Sequence, residues 1–314
     1  MKGKILIWIL VAVFSIAGTA SGADPVRALF IYWRGETECG QGLKEGLREM
    51  GYTLELTEFD AAQDIAKLDQ FLNTLDPQPF RFIYTFGTTA SLRAAEKIQD
   101  VPILFGIVTN PVKSGLINGW KSSENNVTGV SHAISYEDQF ALIQKIGPYR
   151  RIGILYNPKE QNSLIALKEL GDLFTADGVK VINQPVDSPE AVGSAVAALA
   201  DQQPELVYLP SDSFIVSHAG TILPALNARK IPTYGALEQM VEAGALIGIV
   251  SSYSAVGKNL AQMADQVLKG KKPAEIPSRT LPFDMQTIVI NANTLEAIGA
   301  QIPFAIMDIA KLKH

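Results

Sequence analysis

The amino-acid sequence predicts an α/β fold with two similar lobes, each built on a parallel sheet that is covered by helices. Short, nearly continuous apolar runs alternate with amphipathic stretches, which is typical of strands buried on both faces of a parallel sheet. The alternation starts again near residue 150. A chain of 314 residues is also long enough for two domains of ordinary size.

The first residues have the pattern of a secretory signal peptide. Two lysines precede an uncharged apolar run at 5–17, and small residues follow at Ser21 and Ala23. The run is shorter than the roughly 20 residues of a transmembrane helix. We therefore expect residues 1–23 to be a signal peptide, cleaved after about Ala23, and the mature protein to be periplasmic. A retained membrane anchor is the alternative, and the lack of a cysteine at the cleavage site argues against a lipoprotein.

The remaining chain divides into predicted strands and helices in alternation. The apolar runs that predict strands lie at 26–33, 52–60, 80–87, 101–108, 150–156, 179–186, 204–210, 231–236 and 245–253. The amphipathic stretches that predict helices lie at 40–52, 65–75, 91–98, 162–178, 188–202, 218–230 and 254–270, and a last helix begins near residue 292.

The boundary between the two lobes is predicted near 125–134. No Gly/Ser-rich linker occurs there, so short strand-like crossings that act as a hinge are expected. The segments after residue 253 must return to one lobe or to both. We expect lobe 1 to comprise 24–132 plus about 254–282, and lobe 2 to comprise 133–253 plus about 283–314.

Charge and cysteine content exclude several classes of function. The whole chain has a net charge of −5, and without residues 1–23 it keeps 25 of its 27 basic residues and all 32 acidic ones. An acidic chain without a basic cluster is a poor ligand for nucleic acid or for an anionic membrane. The one cysteine, Cys39, cannot form an internal disulfide, and we expect it to be a small packing residue.

The loops after the predicted strands are the candidate ligand site. Ligands of open α/β sheets bind outside the carboxyl ends of the strands, near helix N-termini, where uncharged donors suit a carboxylate or another polar group. These loops are rich in Thr, Ser, Asn and Gln; they lie at 33–38, 87–91, 108–115, 156–163, 209–214, 235–239 and 250–253. Two lobes with such loops predict one cleft between them.

The loop "YNPKEQNS" (156–163) is the richest of these in amide and hydroxyl groups. Asn162 and Ser163 can cap the helix that follows or contact a ligand, and the pattern does not decide between the two. Asp212 can likewise cap a turn or bind an ammonium group. Trp33 and Tyr253 fall at strand ends, where an aromatic side chain either packs or stacks on a ligand.

Catalysis finds little support in the sequence. There are three histidines, and the motifs HExxH, GxSxG and GxGxxG do not occur, nor does a metal-spaced His/Cys cluster. "GTTAS" at 87–91 lacks the lysine of a phosphate-binding loop. An acid–base pair of His132 and Asp212 is conceivable, but no spacing requires it. We expect no catalytic residue, no metal and no cofactor.

Six segments of the sequence resemble the pattern of a known protein family. In this order they are "GQGLKEGLREMGY", "NNVTGVSH", "RIGILYNPKEQNS", "LVYLPSDS", "VLKGKKPAEIP" and "INANTLEAIGAQIP", and they span about 26–304. The chain resembles the exported substrate-binding proteins of ABC transporters, specifically the group that includes tryptophan- and tyrosine-type uptake receptors. The resemblance implies a type I periplasmic binding protein: two Rossmann-like lobes with parallel sheets, joined by a three-segment hinge, that close on a small ligand.

The resemblance also implies partners and site residues. It implies a monomer that delivers its small-molecule ligand to ABC permease and ATPase subunits at the membrane, with no role for nucleic acid. The positions that it places around the cleft are Thr88, Thr89, Thr109, Asn162, Ser163, Ser211 and Asp212.

Departures from the family pattern suggest a hypothesis about the ligand. Thr109-Asn110-Pro111 stands where the family has "TDP", His132 and Ser251 replace expected acidic residues, and "YWRGET" replaces "EHPALD". With fewer carboxylates for an ammonium group, an anionic or neutral ligand with a flat part is favoured. Trp33 would stack on that part, and Arg34 would form a bidentate pair with a carboxylate.

An amino-acid ligand stays open in this hypothesis, because Glu238 and Asp212 remain as ammonium partners. The predicted ligand-binding residues are Trp33, Arg34, Thr88, Thr89, Thr109, Asn110, Asn157, Asn162, Ser163, Ser211, Asp212, Glu238, Ser251 and Tyr253.

The sequence thus predicts the extracytoplasmic solute-binding component of an ABC importer, with an amino-acid-like or aromatic carboxylate ligand. One alternative is a sensory module of the same fold that reports ligand occupancy to a membrane receptor kinase or cyclase. An enzyme on a doubly wound fold is a further alternative, which the lack of a catalytic constellation disfavours.

Overall fold

The computed structural model describes residues 24–314. The predicted signal peptide, 1–23, lies outside this range. The strands are β1 (Val26–Tyr32), β2 (Leu54–Asp60), β3 (Phe82–Phe86), β4 (Ile103–Gly106), β5 (Val127–Ser131), β6 (Arg151–Tyr156), β7 (Lys180–Pro185), β8 (Leu206–Leu209), β9 (Thr233–Gly235), β10 (Ile247–Ser251), β11 (Arg279–Thr280), β12 (Gln286–Asn291) and β13 (Lys311–Lys313).

The helices alternate with these strands. They are α1 (Glu38–Glu49), α2 (Ile65–Thr74), α3 (Thr88–Lys97), α4 (Tyr136–Ile146), α5 (Gln161–Ala176), α6 (Val192–Asp201), α7 (Ser213–Ser217), α8 (Ala219–Asn227), α9 (Glu238–Glu242), α10 (Tyr253–Leu268), α11 (Ala292–Ile298) and α12 (Phe304–Met307). Between residues 24 and 314, no helix has the length and apolar character needed to span a membrane.

Two sheets form the two lobes. The sheet of lobe 1 has six strands in the order β11-β5-β4-β3-β1-β2, and all neighbours are parallel. The sheet of lobe 2 has seven strands in the order β13-β12-β10-β9-β8-β6-β7, in which only β10 and β12 are antiparallel. Every residue of β3 and β8 is buried, as their apolar sequences predict. The predicted α/β fold with two parallel-dominated sheets is confirmed.

The chain crosses between the lobes three times. The crossings lie between β5 and α4, between β10 and α10, and between β11 and β12, because the sheet or the helix packing changes at each point. This agrees with a hinge of three segments. The residue numbers of the predicted lobe boundaries stay a prediction.

Helices α1 and α10 pack unusually closely in lobe 1. A Cβ atom added at Gly257 would lie 2.1 Å from the carbonyl oxygen of Cys39, and one at Gly42 would lie 2.5 Å from that of Ser254. Glycine at these positions therefore lets the two backbones touch. Cys39 lies in this interface, fully buried, and burial raises the pKa of its thiol to about 12. It is a packing residue, as expected.

Some elements carry too little sequence signal to be predicted. Four of them, α7, α9, α12 and β13, have five residues or fewer, so they are too short for a hydrophobic period. Helix α4 is longer, and its N-terminus has a conventional cap: the Ser135 hydroxyl accepts a hydrogen bond from the backbone N–H of Asp138. This helix opens lobe 2 directly after the first crossing.

Candidate functional site

The carboxyl ends of the lobe 1 strands and of β6 to β10 in lobe 2 face one cleft, and the two lobes touch across it. The hydroxyls of Thr109 and Ser211 are 2.9 Å apart, and Arg34 Nη2 donates to Gln239 Oε1 at 3.2 Å. Nearer the edge, Gln63 Nε2 donates to the hydroxyl of Ser217 at 2.9 Å. These contacts join lobe 1 to lobe 2, so the structure is a closed arrangement of the lobes.

A cavity of about 20 Å³ lies between these contacts. Lobe 1 and the start of α10 contribute one wall: Arg34, Phe86, Gly87, Thr88, Ile107 and Tyr253. Lobe 2 contributes the other: Glu160, Asn162, Ser211, Asp212, Ser213 and Leu237. The structure thus brings together six of the residues named from the sequence; they are Arg34, Thr88, Asn162, Ser211, Asp212 and Tyr253.

The lobe 1 wall combines a cation with aromatic rings at a helix N-terminus. The guanidinium carbon of Arg34 lies 5.2 Å from the centroid of the Phe86 ring. Gly87 is the N-cap of α3 with φ of +89°, so the free N–H groups of this ten-residue helix begin at the cavity. A Cβ at Gly87 would be 3.4 Å from Cβ of Trp33, which lies behind it, 4% exposed.

Ile107, which also lines this wall, has a strained backbone. Its φ is +59°, a left-handed conformation that is rare for a β-branched residue. It follows β4 immediately, where the chain turns into the cleft. Strain of this kind persists only when surrounding structure imposes it, and it clusters at ligand sites. The observation supports this cavity as the functional site.

Tyr253 lines the cavity on the lobe 1 side, and His132 packs against its ring. The Tyr253 ring meets Phe86 edge-on at 6.3 Å between centroids and meets His132 in the same way at 5.8 Å. Burial raises the pKa of Tyr253 to about 12, with Arg34 opposing the effect. Burial, assisted by Arg34, lowers the pKa of His132 to about 3, so His132 is neutral at physiological pH.

The lobe 2 wall is a network of hydrogen bonds between two loops. The backbone N–H of Asn157 donates to the Ser163 hydroxyl at 3.1 Å and to Asp212 Oδ2 at 3.0 Å. Asp212 Oδ1 accepts from the N–H of Ile215 at 2.8 Å and thereby caps α7. Asn162 Nδ2 donates to the carbonyl of Ser211 at 2.7 Å.

The polar residues of "YNPKEQNS" therefore brace the loop after β6 against the loop after β8. Neither Asn162 nor Ser163 caps α5, because the N-cap residue of that helix is Glu160 and its side chain makes no capping bond there. Asp212 is fully buried and uses both carboxyl oxygens on backbone N–H groups. Asn157 lies behind the cavity, and its side chain accepts from the N–H of Lys159.

Glu160 is a site residue that the sequence did not reveal. Its side chain is 4% exposed, lines the cavity, and accepts from the N–H groups of Ser213 at 3.0 Å and Phe214 at 3.1 Å. Burial, and then the neighbouring Asp212, raise the pKa of Glu160 to about 7, although the two N–H groups and the indole of Trp33 oppose the shift. Burial also raises the pKa of Asp212. Ionisation of one carboxyl therefore makes ionisation of the other less favourable.

The other predicted residues lie beside this cavity. Thr109 and Asn110 line a larger cavity of about 540 Å³ next to the first and third crossings, and Asn110 Oδ1 accepts from the N–H of Lys113. Glu238 and Ser251 line a cavity of about 150 Å³ that shares Leu237 and Tyr253 with the central one; these two residues link the compartments.

Two of the predicted residues, Glu238 and Thr89, are not among the residues that line the central cavity. Glu238 forms an ion pair with Lys313 at 3.0 Å, and the same ammonium group pairs with Glu242 at 2.6 Å. Thr89 is half-buried on α3, one residue beyond Thr88. Within 24–314, no group of three or more His, Cys, Asp or Glu side chains is placed to hold a metal ion.

Comparison with known proteins identifies the family. Residues 28–313 match the family described as ABC transporter substrate binding protein. The match covers most of the chain, so this protein belongs to that family.

Three relatives show how far the similarity extends. A tyrosine-binding protein of Clostridioides difficile (strain R20291) is 28% identical over 266 residues, which are 83% of this chain and 76% of the relative. A crystal structure of an ABC domain from Streptococcus pneumoniae in complex with L-Trp is 26% identical, with a TM-score of 0.83 over 91% of this chain and 99% of that one. The ligand-free, open structure of a substrate-binding protein with adhesive properties from Clostridium difficile, 22% identical, shares the fold with a TM-score of 0.66 over 92% and 99% of the two chains.

Proposed function

We propose that this chain is the exported solute receptor of an ABC importer and that it binds an aromatic, carboxylate-bearing ligand of amino-acid size between its lobes. The observation that carries the proposal is the central cavity, in which a cation, aromatic rings and a helix N-terminus on one wall face a polar, acidic wall on the other. The named ligands of two relatives, tyrosine and L-Trp, belong to this chemical class.

The lobe 1 wall suits the carboxylate and the ring of such a ligand. Arg34 and the first N–H groups of α3 offer charge-assisted hydrogen bonds to a carboxylate. Phe86 and Tyr253 offer apolar ring surface within the same wall. Trp33 packs against Gly87, and its indole acts on the Glu160 carboxyl of the opposite wall, where it opposes the burial that raises the pKa of that group.

Ligand entry requires the lobes to separate. A cavity of about 20 Å³ holds no more than about one water molecule, whereas the smallest aromatic amino acid is several times larger. The three crossings allow such a movement, and a relative of the same fold has been observed open without ligand. Ligand that bridges the two walls binds the closed state better than the open state, and this difference shifts the population toward closure.

Membership in the family supports the remaining steps of this proposal. The segment 1–23 directs export to the periplasm, where the protein acts as a monomer. The closed, liganded form docks on the permease, and the ATPase subunits drive release and transport. We propose no catalytic step, because no residue around the cavity is arranged as a nucleophile with an adjacent general base.

Calorimetry combined with small-angle X-ray scattering tests this proposal. Purified protein, freed of bound solute by partial unfolding and refolding, is titrated with tryptophan, tyrosine, phenylalanine, leucine, glutamate and ribose. We expect at least one aromatic amino acid to bind at least tenfold more tightly than leucine, glutamate and ribose, and to reduce the radius of gyration. Tighter binding of a sugar, or binding without compaction, would show that the proposal is wrong.

A further inference from the structure

A second cavity, next to the first and third crossings, has the size of a ligand site while the lobes are closed. It encloses about 540 Å³, whereas the central cavity encloses about 20 Å³. Small-molecule sites in proteins commonly enclose about 300–1,000 Å³. Residues that line this hinge cavity include Lys113, Trp120, Tyr136, Glu137, Asp138 and Glu169.

The hinge cavity is separate from the central cavity in the closed arrangement. The two have no lining residue in common. Thr109 lines the hinge cavity, Ser211 lines the central one, and the hydroxyls of these two residues are 2.9 Å apart. A molecule in the hinge cavity would therefore occupy a site of its own.

Both lobes contribute walls to the hinge cavity. Lys113 and Trp120 lie in the lobe 1 segment between β4 and β5, whereas Tyr136 begins α4 of lobe 2. The Lys113 ammonium group also forms an ion pair, at 2.5 Å, with Glu169 on α5 of lobe 2. The cavity therefore has both of its walls in place only when the lobes are closed.

The charged side chains that line the hinge cavity are mainly acidic. Three carboxylates line it, those of Glu137, Asp138 and Glu169. Lys113 is the cation among the described lining residues, and it is paired with Glu169. Acidic residues are common in a first helical turn, where Glu137 and Asp138 lie, so the charge alone does not define a site.

Trp120 gives a first independent indication of a ligand. Its side chain is 37% exposed, although large apolar side chains in this protein are mostly buried, and it lines the hinge cavity. The face of an indole ring attracts an organic cation more strongly than the other aromatic side chains do. An exposed indole beside unpaired carboxylates suits a cation that also has an apolar part.

Tyr136 gives a second indication. It is 7% exposed and lines the hinge cavity, and its hydroxyl has no hydrogen-bond partner among the described residues. Burial, and then the charge of Glu169, raise the pKa of Tyr136, so the hydroxyl keeps its proton. Its oxygen can accept a hydrogen bond, and a primary ammonium group carries three N–H donors.

We propose that the hinge cavity binds a small organic amine in its cationic form, with the carboxylates of α4 and α5 as counter-charges and the Trp120 ring against its apolar part. The bound amine contacts both lobes, so it favours the closed arrangement. By reciprocity it raises the affinity of the central cavity for its own solute. The site goes beyond the proposed function, because binding of the amine does not depend on which solute the central cavity takes.

Calorimetry with benzylamine tests the site on the ligand-free chain. Benzyl alcohol, which has the same ring without the charge, is the matched control ligand. We expect benzylamine to bind at least about tenfold more tightly than benzyl alcohol, and to bind less tightly at high salt.

Two substitutions at exposed positions locate the bound amine. Trp120→Ala should weaken benzylamine binding by about 5- to 30-fold, and Glu137→Gln by about 2- to 5-fold. Met50→Ala and Glu96→Gln, at exposed positions elsewhere in lobe 1, are the matched controls and should leave the affinity unchanged. Saturating benzylamine should tighten the binding of an aromatic amino acid by at least about threefold in the unsubstituted protein and not in Trp120→Ala.

The possible failures are distinguishable. Benzylamine binding weaker than about 10 mM, equal binding of benzyl alcohol, or unchanged binding to Trp120→Ala would overturn the site. Binding at the site without any effect on the amino acid would overturn the coupling between the cavities. If no solute binds the central cavity while benzylamine binding responds to Trp120→Ala, the proposed function is wrong and the hinge site stands.

Discussion

The two walls of the cleft are built in different ways. On the lobe 2 wall, the side chains of Asn162, Ser163 and Asp212 are bonded to backbone groups of two neighbouring loops. On the lobe 1 wall, the Tyr253 hydroxyl has no hydrogen-bond partner among the described residues. The lobe 2 wall is therefore held in place by its own hydrogen bonds, whereas the lobe 1 wall presents aromatic rings and a hydroxyl without a partner. We expect Asp212→Ala on the lobe 2 wall to act mainly on stability and Arg34→Ala on the lobe 1 wall to act mainly on affinity.

The largest expected effect is on the stability of the lobe 2 framework. Asp212→Ala removes the cap of α7 and leaves the buried N–H of Ile215 without its side-chain partner, whereas the N–H of Asn157 keeps only the Ser163 hydroxyl. We expect the free energy of unfolding to fall by about 3 kcal/mol, since an unsatisfied buried donor costs about 1–3 kcal/mol. Urea denaturation measures this loss.

Asp64→Ala is the matched control for this substitution. Asp64 caps α2 through the N–H of Lys67 at an exposed position, so its loss should cost only about 1 kcal/mol. Equal losses for the two aspartates would mean that Asp212 is an ordinary cap and that the brace between the loops adds nothing.

The second expected effect is that His132 and Glu160 give the free energy of unfolding opposite dependences on pH. His132, behind the lobe 1 wall, has a lowered pKa, so the unfolded chain binds more protons and stability is lost as pH falls from about 6.5 toward 3. Glu160 has a raised pKa, so the folded chain binds more protons and its contribution is lost as pH rises from about 4.5 through 7. The two walls respond to pH in opposite directions.

Two variants measure these responses against the unsubstituted protein. His132→Phe should gain about 2–3 kcal/mol of relative unfolding free energy between pH 7 and pH 4.5. Relative to the unsubstituted protein, Glu160→Gln should become more stable as the pH rises from 5 to 8. Parallel pH profiles for all three proteins would contradict both assignments.

The smallest effect on stability is expected at the cation of lobe 1. Arg34→Ala should change the free energy of unfolding by less than about 0.5 kcal/mol, because the side chain is half-exposed and its hydrogen bond is to Gln239 in the other lobe. It should weaken binding of an aromatic amino acid by about 10- to 100-fold if it pairs with the carboxylate. Calorimetry measures the affinity, and unchanged affinity for a carboxylate ligand would remove Arg34 from the site.

Much of the framework could be predicted from the sequence, because the signals are local. Buried strands read as apolar runs, and the rule that ligands bind at strand ends pointed to the loops that contain Arg34, Thr88 and Tyr253. Asp212 was named with both of its possible roles. The structure shows that it caps α7, and its contact with a ligand stays a prediction.

The rest depends on contacts between distant parts of the chain. Glu160 was missed because it binds the N–H groups of Ser213 and Phe214, more than fifty residues further on, and no local pattern marks such a contact. The separation of Thr109 and Asn110 from Ser251 into different cavities depends on how the lobes meet. A sequence pattern shows which strand end a residue follows, but it does not show which cavity that residue lines.

The close packing of α10 against α1 has a mechanical consequence for Tyr253. Strand β10 belongs to lobe 2 and ends at Ser251, whereas α10 begins at Tyr253 and is locked to lobe 1 through Gly257. A single residue, Ser252, separates the two bodies at this crossing. Any rotation of the lobes at this crossing therefore requires changes in the backbone torsion angles at or next to Ser252. The phenol ring of Tyr253, at the start of α10, would keep its position relative to lobe 1.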